Sequence, residues 1–167
     1  SLYESVKPPS KAELAGWKKL PLDRRRYLKQ QVTAKALTGL QKYSIHERLW
    51  ALPTFEIHGI RGGFVGEGAK TVIPCQAVAK VSLRLVPGQS SAKAYRQLAQ
   101  AVKRVAPKWA DVKVVPLHAG EPVQVKVDAP AFRVLDRAVQ EVVGKPTVAV
   151  RAGGSTPVVT ALAHGGA

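Results

Sequence analysis

A glycine-rich stretch, GEGAKTVIP at residues 66–74, is the first place where residue types and spacing suggest chemistry. A phosphate-binding loop of the Walker type needs a glycine, four residues, and then Gly-Lys-Ser/Thr opening a helix. Gly63 and Gly68 have the required separation, but an alanine stands between Gly68 and the lysine. The β-branched residues and the proline that follow predict a strand, which offers a phosphate no helix N-terminus. We therefore expect no nucleotide site, and Thr71 remains as a hydroxyl beside a glycine loop.

The four histidines and the single cysteine show no pattern of a metal centre or a nucleophile. None of the histidines has a second ligand at the spacing that a helix would require. They are His46, His58, His118 and His164. Cys75 follows a proline at an expected strand start and is interpreted as an inert thiol. No Ser-His-Asp or Cys-His arrangement follows from these spacings, so we expect neither catalytic residues nor metal ligands in this chain.

Three side chains have the chemistry to bind a small anion. Arg84 is expected to project from a strand that carries a serine and a lysine on the same face. Ser155 follows two glycines at an expected strand-to-helix turn, where backbone N–H groups are exposed. Together with Thr71, this guanidinium and these hydroxyls are suited to two-point contact with a carboxylate. Taken singly, each is better interpreted as a surface arginine, a turn serine or a strand threonine.

The charge balance is strongly basic, with 26 lysines and arginines against 11 acidic residues and a net charge of +15. Such a field favours nucleic acid, anionic surfaces or acidic substrates. The charge is nevertheless spread along the chain, and aromatic residues make up only 6%, without the basic–aromatic interleaving typical of RNA-binding modules. We interpret the charge as a solubilising surface and expect no nucleic-acid partner. A basic α+β module that binds nucleic acid remains the rival hypothesis.

The remaining totals bear on the cellular context. No apolar run approaches the roughly 18 residues of a membrane span, so no membrane partner is expected. One cysteine excludes an internal disulfide and fits a reducing compartment, which predicts a cytoplasmic location. The absence of methionine from all 167 residues suggests a piece of a longer polypeptide.

Helical patterns dominate the first 50 residues. Ser10 and Glu13 have the spacing of a capping box, which predicts a short helix there. A second, strongly basic helix is expected from the cap Asp23 to the stop Gly39. The apolar positions of this region are sparse, which favours a connector lying on another surface.

Alternating patterns from Pro53 onward predict strands. TFEIHGI places Phe55 and Ile57 on one face, with Glu56 and His58 on the other. AVAKVSLRLVP alternates again, and its expected inward face consists of Ala77, Ala79, Val81, Leu83 and Leu85. DVKVVPL is expected to be a third strand, kept short by a proline, and TVAV a buried strand.

Two amphipathic helices are predicted in the second half of the chain. The first covers 90–108, capped by Ser90 or Ser91, and its apolar stripe consists of Ala94, Leu98, Ala101, Val102 and Val105. The second covers about 129–143, with Asp128 as its cap, a proline in the first turn and Gly144 as its stop. Its expected buried face consists of Phe132, Leu135, Val139 and Val142.

Three of these stretches together resemble a known family. LWALPTFEIHGIRGG, GEGAKTVIPCQAVAKVSLRLVPGQ and VRAGGSTPVV occur in this order in the zinc dipeptidases of the carnosinase and aminoacylase type. The resemblance runs through most of residues 40–160. It implies an α+β fold, in which a lid and dimerisation domain consists of an antiparallel sheet with helices on one face. We accordingly expect a helical connector at 1–52, an incomplete lid at 53–127, and a returning α/β segment of the catalytic domain at 128–167.

The resemblance also implies a function and assigns the three anion-binding side chains to one ligand. Arg84 and Ser155 match positions that hold the C-terminal carboxylate of the substrate, and Thr71 matches one that reaches the substrate from the partner subunit. The whole enzyme would be a homodimer that hydrolyses dipeptides or N-acyl amino acids. This chain would supply carboxylate recognition, lid closure and dimer contacts.

The family's metal chemistry is expected outside this chain. The resemblance implies two zinc ions, or manganese, held by residues before and after the matched region, with a glutamate general base before it. His164 does not match the last metal-binding histidine, and Ala152 stands where an acidic residue is common. The chain alone is therefore predicted to be inactive without the remainder of the enzyme. A catalytically inactive dimerisation scaffold of the same fold is the further alternative.

Overall fold

The computed structural model describes residues 2–152, 158, 159, 161 and 162. Its elements in chain order are helix α1 (Lys11–Lys18), helix α2 (Arg24–Arg26) continued by a π-helical segment (Tyr27–Val32), helix α3 (Ile45–Trp50), strand β1 (Thr54–Gly62), strand β2 (Ala77–Arg84), helix α4 (Ser91–Val105) and helix α5 (Pro130–Val143). The two strands form an antiparallel sheet. Helices combined with an antiparallel sheet confirm the predicted α+β class.

Capping boxes begin two of the N-terminal helices. Glu13 N donates to Ser10 Oγ over 3.2 Å, and the Glu13 carboxylate accepts from Ser10 N over 2.7 Å, as the sequence predicts. The same reciprocal pair forms between Ser44 and Glu47 at the start of α3. This second box was not predicted, although SIHE carries the same spacing.

The second helix begins as predicted but ends early. The Asp23 carboxylate accepts from Arg26 N over 2.6 Å, which confirms the cap. The helix widens into a π-helix and stops at Val32, because Thr33 adopts a left-handed conformation with φ of 50°. The predicted stop at Gly39 is therefore wrong. Few apolar residues on this basic segment are available to anchor further turns.

The hairpin of β1 and β2 runs from the pair Thr54–Arg84 to the pair Gly62–Ala77. Phe55 lies opposite Leu83 and Ile57 opposite Val81, so the predicted apolar face exists. A register shift between Ile57 and Gly59 makes His58 the extra residue of a bulge, which interrupts the predicted alternation. The apolar face is not an interior, however, because Phe55 and Ile57 are 50% and 56% exposed.

The third predicted strand, DVKVVPL, and the predicted strand TVAV are not strands in the structure. In the described part of the chain, only β1 and β2 exchange ladder hydrogen bonds. A strand is stable only when another strand satisfies its backbone groups, so an alternating or apolar run alone is not sufficient. Val115 and Leu117 are accordingly exposed, and Val150 is half exposed.

The two long helices agree with the predicted positions but differ at their N-termini. At α4, which ends at Val105 rather than at 108, the Glu121 carboxylate accepts from Ser91 N over 3.1 and 3.2 Å, whereas Ser90 makes no side-chain cap bond. At α5, the cap position is Ala129 rather than Asp128. Gly144 ends α5 in the left-handed conformation, as predicted, with φ of 73°.

The apolar stripes of these helices are only partly buried. In α4, Ala94 is 4% exposed but Val105 is 76% exposed. The predicted buried face of α5 is wrong in this chain, because Leu135 and Val142 are 54% and 87% exposed. Such faces stay uncovered when the surfaces that pack on them are not among the described residues.

Among the described residues, Trp17 is the largest fully buried side chain, at 1% exposed. Its ring meets Trp50 edge to face with centroids 5.3 Å apart. Its Nε1 donates to the Ala149 carbonyl over 3.0 Å. His46 stacks on the other tryptophan ring at 4.5 Å. Helices α1 and α3 are thereby joined to the segment that follows α5.

Candidate functional site

Arg84, the last residue of β2, lies on the polar face of the hairpin. Its Nε donates to Glu56 Oε1 over 3.2 Å, and its side chain is 59% exposed. Among the described residues, neither terminal nitrogen of this guanidinium has a protein partner within hydrogen-bond distance. Arg84 therefore keeps hydrogen-bond donors available for an anion from solution.

Glu56 is the central acceptor of this polar face. Its Oε1 also accepts from Thr54 Oγ1 over 2.5 Å, and its Oε2 accepts from Ser82 Oγ over 2.9 Å. The hydroxyl of Thr54, together with Ser82 and Arg84, holds the pKa of Glu56 below its ordinary value. Glu56 is consequently ionised at neutral pH. Its contacts were not predicted, although it lies on the predicted polar face.

Thr71 lies at the opposite end of the hairpin from Arg84. It is exposed in the 63–76 loop, where Gly63 and Gly68 have φ of 67° and 82°. Arg84 follows Ala77 by seven residues, which at about 3.3 Å per strand residue separates the loop from Arg84 by about 23 Å. Within one copy of the chain, these two predicted site residues thus belong to opposite ends of the hairpin.

Ser155, the third predicted site residue, lies outside the described residues, as does His164. The segment just before Ser155 is described as far as Ala152, and Arg151 joins this segment to α1. Arg151 donates to the Glu13 carboxylate through Nε and Nη2 over 2.8 and 3.0 Å. Arg151 holds the pKa of Glu13 below its ordinary value. The two residues are 138 positions apart, so no local sequence pattern could have revealed this pair.

The acidic, histidine and cysteine side chains of the described residues lie apart from one another. In the described ranges, no three His, Cys, Asp or Glu side chains gather closely enough to hold a metal ion. These residues therefore do not fit a metal site, and no catalytic step through a metal is assigned to them. Cys75 is exposed, and none of the described helices is both long and apolar enough to cross a membrane.

A separate cavity of about 190 Å³ lies beside α1 and α3. Its lining is mainly prolines, tyrosines and aliphatic side chains, with Glu47 as the acidic member. The Glu47 carboxylate is already engaged in the capping box of α3. The geometry suited to a small anion is thus found at Arg84 rather than in this cavity.

Comparison with known proteins gives a consistent set of relatives. A family described as "Peptidase dimerisation domain" matches residues 19–110. The Beta-Ala-His dipeptidase of Homo sapiens is 30% identical over 160 residues, which cover 94% of this chain and 31% of the relative. The Cys-Gly metallodipeptidase dug1 of Schizosaccharomyces pombe is 35% identical over 112 residues, which cover 65% of this chain and 24% of the relative.

A solved structure extends the likeness to three dimensions. An M20 family metallo-carboxypeptidase, Sso-CP2 from Sulfolobus solfataricus, matches with a TM-score of 0.80 and 25% identity over 97% of this chain and 41% of that chain. The chain thus spans about a third or less of the length of the curated relatives.

Proposed function

Because this chain belongs to the peptidase dimerisation domain family, we propose that it forms the lid and dimerisation part of a longer metallodipeptidase. In this proposal, residues 1–52 are a helical connector, 53–127 an incomplete lid, and 128–167 a returning segment of the catalytic domain. The remainder of the enzyme holds two zinc ions, or manganese, on residues outside this chain. The protein acts in the cytoplasm, where the exposed thiol of Cys75 stays reduced.

The available guanidinium edge of Arg84 is the observation that carries the proposal. The relatives are dipeptidases and a carboxypeptidase, and both kinds of enzyme cleave a bond close to a free C-terminal carboxylate. A half-exposed guanidinium held at one nitrogen is suited to two parallel hydrogen bonds with such a carboxylate. We assign substrate-carboxylate recognition to Arg84, with Ser155 as a second contact, and a dipeptide or N-acyl amino acid as substrate.

The position of Thr71 supports a homodimer as the working form. Strand β2, about 23 Å long, separates Arg84 from the loop that carries Thr71, which disfavours contact of both residues with one small substrate in a single copy of the chain. A second copy of the chain supplies the missing proximity, since Thr71 of the partner subunit would then enter the site that contains Arg84. Dimer contacts and lid closure are therefore proposed as one structural function.

Replacement of Arg84 by alanine in the full-length enzyme tests the assignment. We expect kcat/KM for a free-carboxylate dipeptide to fall about 100-fold, as for the loss of hydrogen bonds between charged groups. For the C-terminal amide of the same dipeptide, kcat/KM should fall much less, because the amide lacks the charge that Arg84 recognises. Steady-state kinetics on both substrates provide the measurement.

The matched control is Arg61→Ala, which removes an exposed arginine from the other end of the same hairpin. It should leave kcat/KM for both substrates near that of the unmodified enzyme. An Arg84→Ala enzyme with unchanged kcat/KM on the free-carboxylate dipeptide would contradict the assignment of the site.

A further inference from the structure

Glu56 occupies a diagonal position next to Arg84 on the hairpin. The strand register pairs Thr54 with Arg84 and Glu56 with Ser82, so all four side chains lie on one face. Both carboxylate oxygens of Glu56 are engaged, one by Thr54 and Arg84 and the other by Ser82. Two hydroxyls from two strands therefore fix the carboxylate before Arg84 is considered.

The contact with Arg84 is made at a single nitrogen. A guanidinium can bind a carboxylate in two-point fashion along its Nε side edge or along its terminal edge. Glu56 takes Nε over 3.2 Å, which occupies the side edge and leaves the two terminal nitrogens together on the open edge. An arginine that is 59% exposed would otherwise distribute over many rotamers.

We propose that Glu56 is a positioning residue, which holds the guanidinium of Arg84 by Nε so that its terminal edge faces the C-terminal carboxylate of a peptide. The inference rests on the proposed carboxylate recognition by Arg84. It adds a direction to that recognition, because the substrate carboxylate must approach end-on, away from Glu56. The hydroxyls of Thr54 and Ser82 support this arrangement by preventing Glu56 from following Arg84.

The negative charge of Glu56 also repels the carboxylate of the same substrate. This repulsion can be separated from the orientation of Arg84 by substitution. A carboxylate near the site repels the incoming carboxylate, whereas the hydrogen bond to Nε orients its receptor. In Glu56→Gln the amide oxygen still accepts from Arg84 and Thr54, and the amide nitrogen donates to the Ser82 hydroxyl, which can accept. Glutamine therefore keeps the orientation and removes the repulsion, whereas alanine removes both.

The experiment measures KM and kcat of the full-length enzyme for a free-carboxylate dipeptide and for its C-terminal amide. We expect Glu56→Ala to raise KM for the free-carboxylate dipeptide about tenfold, since Arg84 must then lose its rotamer freedom on binding. Its kcat should change less than its KM, and the values for the amide should stay close to those of the unmodified enzyme. Glu56→Gln should have a KM equal to or below that of the unmodified enzyme, because it keeps the orientation of Arg84 and removes the repulsion.

A double variant separates positioning from a merely structural effect. If Glu56 acts through Arg84, then Glu56→Ala combined with Arg84→Ala should be no worse than Arg84→Ala alone. Additive losses, or an equal loss on the amide substrate, would overturn the inference. Glu67→Ala is the matched control, as it removes an exposed carboxylate from the loop of the same hairpin.

The outcomes also distinguish this inference from the proposed function. A large effect of Arg84→Ala with no effect of Glu56→Ala would overturn the positioning role and leave carboxylate recognition in place. No effect of either variant on the free-carboxylate dipeptide would overturn both.

Discussion

At the residue scale, two glutamate–arginine pairs in this chain differ in the exposure of their side chains. They therefore differ in whether they stabilise the fold or remain available to a ligand. In the pair of Glu13 and Arg151, the side chains are 26% and 12% exposed, and two hydrogen bonds join them. In the pair of Glu56 and Arg84, they are 39% and 59% exposed, and one hydrogen bond joins them. The first geometry contributes to stability, whereas the second leaves donors open to a ligand.

The first pair predicts a pH-dependent stability. The pKa of Glu13 in the folded protein lies below its ordinary value of 4.5, so the stabilisation is fully present above that value. It is lost as the pH falls through the folded-state pKa. In the full-length protein, we expect Glu13→Gln to lower the free energy of unfolding by about 1 kcal/mol at neutral pH. The difference should shrink as the pH falls below the ordinary value.

Urea unfolding at a series of pH values between 7 and 3.5 provides the measurement. Glu67→Gln, which replaces an exposed carboxylate in the hairpin loop, serves as the control and should show little difference at any pH. A difference in the free energy of unfolding between Glu13→Gln and the unmodified protein that stays constant down to the lowest pH would contradict this interpretation of the pair.

At the element scale, the sequence predicted what local chemistry determines. The capping serine and glutamate of α1 and the glycine stop of α5 lie within a few residues of the backbone groups that they satisfy. The end of the second helix could not be predicted, because the left-handed Thr33 stands at a position that no glycine or asparagine marks. The strands missing after α4 and α5 depend on partner strands far away in sequence, which periodicity does not report.

The candidate site likewise combines features that local sequence determines with features that strand pairing determines. Arg84 and Thr71 were recognised from single motifs and from resemblance, and Glu56 was placed on the correct face of its strand. Its engagement by Thr54 and Ser82 depends on the pairing register of β1 with β2. A bulge at His58 alters that register, and nothing in TFEIHGI marks its position before the partner strand is known.

The seam between α1 and the segment after α5 contains the indole of Trp17 beside the ion pair of Glu13 and Arg151. In the full-length protein, we expect Trp17→Ala to lower the free energy of unfolding by about 3–5 kcal/mol, because it opens a large cavity and leaves the Ala149 carbonyl without its donor. Trp17→Phe should lie between this variant and the unmodified protein. Equilibrium urea unfolding gives the three values.

Trp109 provides the matched control for this substitution. It is 88% exposed, so Trp109→Ala removes the same side chain from solvent rather than from a packed interior. We expect a change within about 0.5 kcal/mol. Equal losses at the two tryptophans would contradict the importance of the seam.

At the scale of the whole molecule, the apolar face of the hairpin and the separation of the site residues point in the same direction. Phe55 and Ile57 remain half exposed in one chain, and the length of β2, about 23 Å, separates Arg84 from the start of the loop that carries Thr71. We therefore expect the active unit to be a dimer with composite sites.

A mixed dimer tests this expectation. Arg84→Ala and Thr71→Ala homodimers should both be impaired, because every site contains one altered residue. In a mixed dimer, one site receives both alterations and the other receives none, so activity should return to about half of that of the unmodified enzyme. Differently tagged subunits, refolded together and purified as mixed dimers, allow this measurement by kcat/KM.

The same mixture gives the opposite result if both residues act within one subunit. Each site would then contain one altered residue, and mixing would restore nothing. A mixed dimer of Arg61→Ala with unmodified subunits controls for losses during subunit exchange and should retain full activity.

The hydrogen bond from Trp17 to Ala149 also has a consequence for biosynthesis. Its partners are 132 residues apart, so α1 emerges from the ribosome long before the carbonyl that its indole requires. At translation rates of about 5–20 residues per second, the interval is on the order of 10 s. During that time the indole of Trp17 lacks its hydrogen-bond acceptor, although the ring of Trp50 that packs on it is synthesised earlier. Chaperone capture at this tryptophan is thus favoured until the segment that contains Ala149 has been synthesised.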